Sequence, residues 1–506
     1  MRPIGTRWQW VPPVLLLAGF FLLAGSPAQA KPKFNVSEVT GGGGGLLICD
    51  LDGDGLKDLV LLGDFTLAIF YQDPHSGFTR EPQQTFKFEH RPCLVWAAKL
   101  GGPAESLLVM TSEGVTELGF TNRTGPPVLR PILREPTIIP PTEEWPKMNN
   151  LRLSAATGGD WPLLLVPTAE GVQVWQHRDD WRRAQVLGGA LDSGPRPTGL
   201  SSAGQRSPAA NPGYTTSYGL DLSVGDVHGH GREDVMLCSS SPDRRTNTYR
   251  LYPQQTNGLF TQEPAMTYAD KVEPNSWLDW VDINRNGHVD LIKSVWLEEP
   301  SFIPGQTSGK VLVSVHLADD QGRIPGQPQQ VFRKNDWMPT LPVLDVAGDG
   351  YPDLVLGYSV LDTREGMKKE ITAKQLDYSL RFYFHQPGGG FSKTAGSQRD
   401  VVIHMDQTEL LLSWGRSRYF DRYVSLGGDF SGDGKTALLV RDQQDVISVY
   451  PFLSREQGFA AQPEQQFHCP NYIVEWQVAD LNQDGVSDLI VREQRGYRIF
   501  ISQKGP

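Results

Sequence analysis

Asp50-Leu51-Asp52-Gly53-Asp54-Gly55-Leu56-Lys57-Asp58-Leu59 is the stretch that decides the fold. Carboxylates stand at positions 1, 3, 5 and 9 of this run, with glycine at position 6. Alternate residues of a tight turn point inward, so Asp50, Asp52 and Asp54 converge on one centre. Gly55 allows the sharp bend, position 7 offers a backbone carbonyl, and Asp58 closes the shell. Such a set of oxygen donors suits a hard cation. On either side lie Leu46-Leu47-Ile48-Cys49 and Leu59-Val60-Leu61-Leu62, short apolar runs bounded by turn residues, which read as buried strands. The stretch is therefore expected to form a β-hairpin whose turn holds an ion.

The first half of the run matches an EF-hand loop, a Ca²⁺ binder, but that loop closes with Glu at position 12 and is flanked by helices. The run returns along the chain. Asp282, Asn284, Asn286 and Asp290 form a good copy, and Asp480, Asn482, Asp484 and Asp488 another. Asp345, Asp349 and Asp353 lack only the ligand at position 3. Asp429, Ser431 and Asp433 lack the ninth, where Ala437 stands. Asp226, His228, His230 and Asp234 make a weak copy and a poor calcium site because imidazole is soft for that ion; it is read as a decayed loop with solvated histidines, with a transition-metal site as the alternative. Six such loops form a repeat array. The array resembles the FG-GAP/VCBS family of calcium-loop β-propellers, which includes integrin α-subunit heads, over nearly all of the chain. The Phe-Gly and Gly-Ala-Pro signatures of integrin repeats are not evident. The resemblance implies an all-β propeller, Ca²⁺ in the loops and a binding or adhesion role.

Each repeat also carries a strand rich in aromatics after the hairpin, such as Leu67–Tyr71, Tyr249–Tyr252 and Ile447–Tyr450, then a glycine turn and a fourth strand. Four antiparallel strands, A to D, with the acidic loop between A and B, make a propeller blade. Two units without the acidic run fill the gap before Asp226. Leu94–Ala98, Ser106–Val109 and Gly114–Leu118 form one; Leu151–Ala155, Leu163–Val166 and Gly171–Trp175 form the other. The expected fold is one propeller of eight four-stranded blades, with seven as the alternative. The last unit lacks strand D, and Phe34 to Thr40 is expected to supply it, closing the ring.

Residues 1–30 read as a signal peptide: Arg2 and Arg7, an apolar core from Val14 to Leu23, and cleavage after Ala30. Residues 31–506 form the propeller, expected to be secreted or periplasmic, with no later stretch long enough to span a bilayer. Without the leader, 45 basic residues face 58 acidic ones. That balance disfavours nucleic acid as a partner. Cys49 and Cys238 fall in strands and read as buried thiols, while Cys93 and Cys469 sit at equivalent places where a disulfide is possible.

A–B and C–D turns lie on one face of a propeller, B–C and D–A connections on the other. The long connections, Ser239–Asn247, Glu298–Gly309, Ser359–Leu376, Leu187–Gly219 and Met405–Phe420, all belong to the second face. Binding usually resides in such loops. Trp96, Trp145, Trp277, Trp280, Trp337, Trp414 and Trp476 collect near it, either packed between blades or forming an aromatic rim. Arg244, Arg245, Arg364, Lys368, Lys369, Arg416 and Arg418 give it basic character. An extracellular glycan or protein is the expected ligand. The alternative is a polysaccharide lyase, for which His404, Arg418 and Tyr419 are conceivable, but no motif or spacing singles out a catalytic set.

Overall fold

The computed structural model describes residues 33–503 apart from connecting segments, the longest being 135–161, 189–210, 299–309, 335–342, 360–374 and 405–422. The described residues form eight antiparallel sheets arranged as a ring, an eight-bladed β-propeller. Blade 1 is built from Leu46–Cys49, Asp58–Gly63, Thr66–Phe70 and Gln84–Lys87, hydrogen-bonded in that order. Blade 2 repeats the order with Leu94–Lys99, Glu105–Thr111, Gly114–Gly119 and Val128–Leu133. Blade 3 shows Leu163–Thr168, Gly171–His177 and Trp181–Leu187; its expected first strand, 151–155, lies outside the described residues. Blades 4 to 7 have B strands at Asp234–Ser240, Asp290–Glu298, Asp353–Ser359 and Ala437–Gln443.

B strands are apolar without alternation because a neighbouring blade covers each face of every sheet. Leu59, Val60, Leu61 and Leu62 are all buried, each contributing about 1.5–3 kcal/mol on removal from water. Outer D strands alternate instead, as in Gln84–Lys87 and Met266–Lys271, since they border solvent. Every adjacent pair of blades shares an apolar cluster. Blades 1 and 2 meet through Val60, Leu62, Val95 and Leu107. Blades 7 and 8 meet through Leu439, Phe467, Leu489 and Phe500.

Closure follows the expected route. Lys33–Thr40 pairs antiparallel with Gly496–Gln503 in unbroken register, from Lys33 opposite Gln503 to Thr40 opposite Gly496, and completes the sheet of Ile473–Ala479, Asp488–Glu493 and Gly496–Gln503. Val39, Leu46, Leu59, Ile490 and Ile499 seal blade 8 against blade 1. The strand is also tied to blade 1: the Phe78 N–H donates to Ser37 Oγ at 3.0 Å, and the Thr40 N–H to the Arg80 carbonyl at 2.8 Å.

Two connections differ from expectation. Strands Asp234–Ser240 and Thr246–Tyr252 extend into 239–247, and the Ser241 N–H reaches the Thr246 carbonyl at 2.7 Å, so this B–C link is a short hairpin. Within 187–219, Asn211–Thr215 forms a strand pairing with Leu220–Gly225 and adds a fifth strand to blade 4.

Deleting 33–40 should expose the Gly496–Gln503 edge and open the ring. We expect a broad, low-temperature unfolding transition and self-association through the free edge. A sharp transition near that of the parent would contradict ring closure by this strand.

Candidate metal centres

The six acidic loops share one backbone frame, and their first carboxylate builds it. Asp50 accepts from the Gly53 N–H at 2.7 Å and from the Gly55 N–H at 3.0 Å. Asp282 accepts from Asn286 and Gly287, and Asp480 from Asp484 and Gly485, at 2.8–3.1 Å. Asp345 and Asp429 do the same for Gly350 and Gly434 at 2.6 Å. Position 6 is left-handed throughout, with φ from 79° at Gly231 to 91° at Gly55, a region that favours glycine. The position-5 side chain then accepts the position-7 N–H, as Asp54 does from Leu56 and Asn286 from His288, both at 2.8 Å.

The ninth carboxylate does more than close a cation shell. Asp58 is fully buried and accepts two backbone N–H groups, Leu51 at 2.8 Å and Gln72 at 3.0 Å. Asp290 holds Ile283 and Ala318, Asp353 holds Val346 and His385, and Asp488 holds Leu481 and Ser502. Each clamp joins the loop's second residue to the C-terminal end of strand C: Gln72, Ala318 and His385 lie two residues beyond that strand, and Ser502 is its penultimate residue. Burial pushes Asp58 and Asp290 up to about 7, and Asp353 and Asp488 up to about 6, against the pull of those N–H donors.

Adjacent loops are stitched into a belt. The Lys57 N–H donates to the Leu481 carbonyl at 2.8 Å, Glu105 to Asp50 at 2.6 Å, and Ser487 to Asp429 at 2.7 Å. Thr436 Oγ1 donates to the Asp345 carbonyl at 3.1 Å. Two arginines that sequence reasoning missed also cross between blades. Arg123, just beyond the third strand of blade 2, donates through Nε to Asp52 and through Nη2 to Asp54 at 2.8 Å. Arg455, beyond the third strand of blade 7, pairs with Asp349. Nothing in the local sequence marks either one, because the partner carboxylates lie in the preceding blade.

Among the described residues, two groups of titratable side chains converge to within 4.8 Å: Asp50, Asp52 and Asp58, and His228, His230 and Asp234. The first offers only oxygen atoms. Each carboxylate oxygen that accepts one N–H keeps a second lone pair, so this set fits a hard divalent cation. The acid triplets of loops 345–353 and 480–488 do not converge to that spacing. Asn482 instead donates to Asp484 Oδ2 at 3.2 Å, and Ser431 Oγ donates to Glu464 at 3.0 Å. Asn284 lies against Gly389 of blade 6.

The tryptophans described in detail are core residues. Trp96, Trp280 and Trp476 are buried, and Trp476 Nε1 donates to Ser425 Oγ at 2.8 Å across blades 7 and 8. Side-chain positions of Trp145, Trp277, Trp337 and Trp414 lie outside the described residues, as do Arg244, Arg364, Lys368, Lys369, Arg416, Arg418 and Tyr419. His404 sits in the outer strand of blade 6, opposite Gln375. Cys49, Cys238 and Cys469 are buried, the Cys469 thiol pushed up to about 12 by burial; Cys93 lies outside the described residues.

No protein-family model matches the chain, and no curated protein matches it. Among solved structures, it is similar to the crystal structure of BBS1N in complex with ARL6DN, soaked with mercury. That similarity has a TM-score of 0.38 and 10% identity, and covers 93% of this chain and 96% of that chain. The lead-soaked crystal of the same complex gives a TM-score of 0.36 and 9% identity, covering 94% and 98%.

Asp58→Ala leaves two buried N–H groups without acceptors, at about 1–3 kcal/mol each. It should lower stability by about 2–5 kcal/mol in denaturant titrations even without metal; a loss below 1 kcal/mol would contradict the clamp. The clamps also set a pH dependence. Their carboxyls are raised above the ordinary value of about 4, so between pH 4 and 7 the folded state binds more protons than the unfolded one. Their contribution to stability therefore falls as pH rises through that window. In chelator, the melting temperature should drop from pH 5 to pH 8, and less so in Asp58→Asn/Asp290→Asn; an equal drop in both proteins would rule out these groups as the source.

Proposed function

We propose that the chain is an exported, calcium-stabilised propeller of the FG-GAP/VCBS kind that binds an anionic extracellular partner, glycan or protein, through its B–C and D–A face. The observation that carries this reading is the division of labour between the two ends of the blades. On the A–B side every acidic loop keeps one hydrogen-bonded frame and adjacent loops are tied together. The strand ends on the opposite side are those that flank the long segments of the sequence, 299–309 and 360–374 between B and C strands and 189–210 and 405–422 after D strands. A rigid scaffold with variable connections at one end is the usual arrangement of a recognition surface. Lys368, Lys369, Arg416 and Arg418 in two of those connections give it positive charge against an acidic chain.

Calcium belongs to the scaffold in this reading. Asp50, Asp52 and Asp58 would hold it in loop 50–58, and its charge would relieve the mutual repulsion of three carboxylates. Export rests on the leader-like residues 1–30; no helix among the described residues is long and apolar enough to cross a membrane.

Chelation should lower the melting temperature, since an ion bound only to the folded state stabilises by about 2.7 kcal/mol at a hundredfold excess over its Kd. Asp52→Ala should remove part of that gain and Ser431→Ala less of it. An unchanged melting curve would show the loops to be turns without ions. Against sulfated and uronate polysaccharides, Lys368→Gln with Lys369→Gln should weaken binding and flatten its salt dependence, with no change in melting. Binding lost through Asp52→Ala and kept by the lysine variant would place recognition on the opposite face.

A further inference from the structure

The loop between strands Leu220–Gly225 and Asp234–Ser240 of blade 4 departs from calcium chemistry in a consistent way. Its backbone frame is intact: Asp226 accepts from the His230 N–H at 3.0 Å and the Gly231 N–H at 2.7 Å, the same pair of contacts that Asp282 makes. The change in composition has therefore left the backbone frame in place. What has changed is the donor set. His228 and His230 stand at positions 3 and 5, where the other loops, Ala347 aside, carry oxygen ligands, and their rings stack with centroids 5.3 Å apart. His228 is half-buried, with 10% of its side chain exposed, while His230 is an exposed residue with 26% of its side chain open to solvent.

The ninth carboxylate has been redirected as well. Asp234 keeps one half of the clamp, its Oδ1 accepting the Gln254 N–H at 3.1 Å. In four other loops the second oxygen accepts the position-2 N–H. Here the Val227 N–H turns to the Gly225 carbonyl, and Asp234 Oδ2 faces His228 Nδ1 at 2.6 Å. On the other ring, His230 Nδ1 lies 3.2 Å from Asp226 Oδ1, while Nε2 lies 3.6 Å from Asp234 Oδ1. The Arg232 N–H also donates to His230 Nδ1 at 3.3 Å; a metal at Nε2 would instead have this ring carry its proton on Nδ1, where Asp226 Oδ1 can accept it, as a carboxylate does beside a metal-bound histidine.

We infer that His228, His230 and Asp234 form a binding site for a divalent first-row transition ion, Zn²⁺ foremost, in the one acidic loop that imidazole has made unfit for calcium. Two nitrogens and one carboxylate oxygen, with atoms already within 4.8 Å of one another, suit Zn²⁺ or Co²⁺ and leave a position for water. Binding displaces the proton shared by His228 and Asp234 into solvent. The site would pin blade 4 to blade 5, because the Asp282 N–H donates to the Val227 carbonyl at 2.9 Å beside it.

The test uses the full chain, stripped with chelator and then titrated with Co²⁺ or Zn²⁺ alone in excess Ca²⁺. One equivalent of Co²⁺ should bind and develop visible d–d absorption, and Zn²⁺ should abolish that absorption. His228→Gln with His230→Gln should weaken Co²⁺ binding at least a hundredfold while melting in chelator stays within a few degrees of the parent. X-ray absorption at the zinc edge of the parent requires no variant, and should show two imidazoles at about 2.0 Å. No Co²⁺ spectrum in the parent, the same spectrum in the double variant, or an all-oxygen zinc shell would each overturn the site.

Discussion

A buried carboxylate that must find hydrogen-bond donors sets the geometry on which the rest of this propeller depends. Asp58, Asp290, Asp353 and Asp488 are wholly buried, and an ionised or even neutral carboxyl in that position is costly without partners. The partners supplied are backbone N–H groups from two places, the second residue of the A–B loop and the C-terminal end of strand C. One side chain thereby fixes the turn and the width of the blade together. The belt of contacts between successive loops, such as Lys57 to Leu481 and Ser487 to Asp429, then passes that geometry around the ring. A cation, where it binds, adds charge balance to a frame that the carboxylates have already made.

The second constraint is that no blade covers its own faces. B strands such as Asp58–Gly63 and Leu163–Thr168 are buried on both sides, which only a neighbour on each side provides. The array has to end on itself, and Lys33–Thr40 does this by pairing with the last strand of the chain. Folding is thereby tied to the meeting of the two termini, a contact of very high sequence separation.

Much of this was legible from residues alone. Continuous apolar runs beside a turn with Asp and Gly at fixed spacing gave the hairpins, and the missing fourth strand after Tyr497–Ile501 required a donor from elsewhere. What was not legible lies across blades. Arg123 meets Asp52 and Asp54 from about seventy residues away, and a lone arginine after a strand carries no mark of such a role. Asp58 was read as a ligand because spacing shows which side chains converge, not which backbone groups need acceptors. The loop 226–234 looked degenerate because composition changed, yet Asp226 and Gly231 kept the frame. Trp96, Trp280 and Trp476 could equally have stood on a rim, since apolar aromatic surface is demanded by both uses.

The central claim is that the ninth-position carboxylates, rather than bound ions, hold the loops to the blades. Hydrogen exchange followed by mass spectrometry on the metal-free chain at pH 8 tests this most directly. Amides of Leu51, Gln72, Ile283, Ala318, Leu481 and Ser502 should fall in the slowly exchanging class, together with the B strands. Exchange of those amides within seconds, while the B strands stay protected, would contradict it and make the ion the primary organiser of each loop.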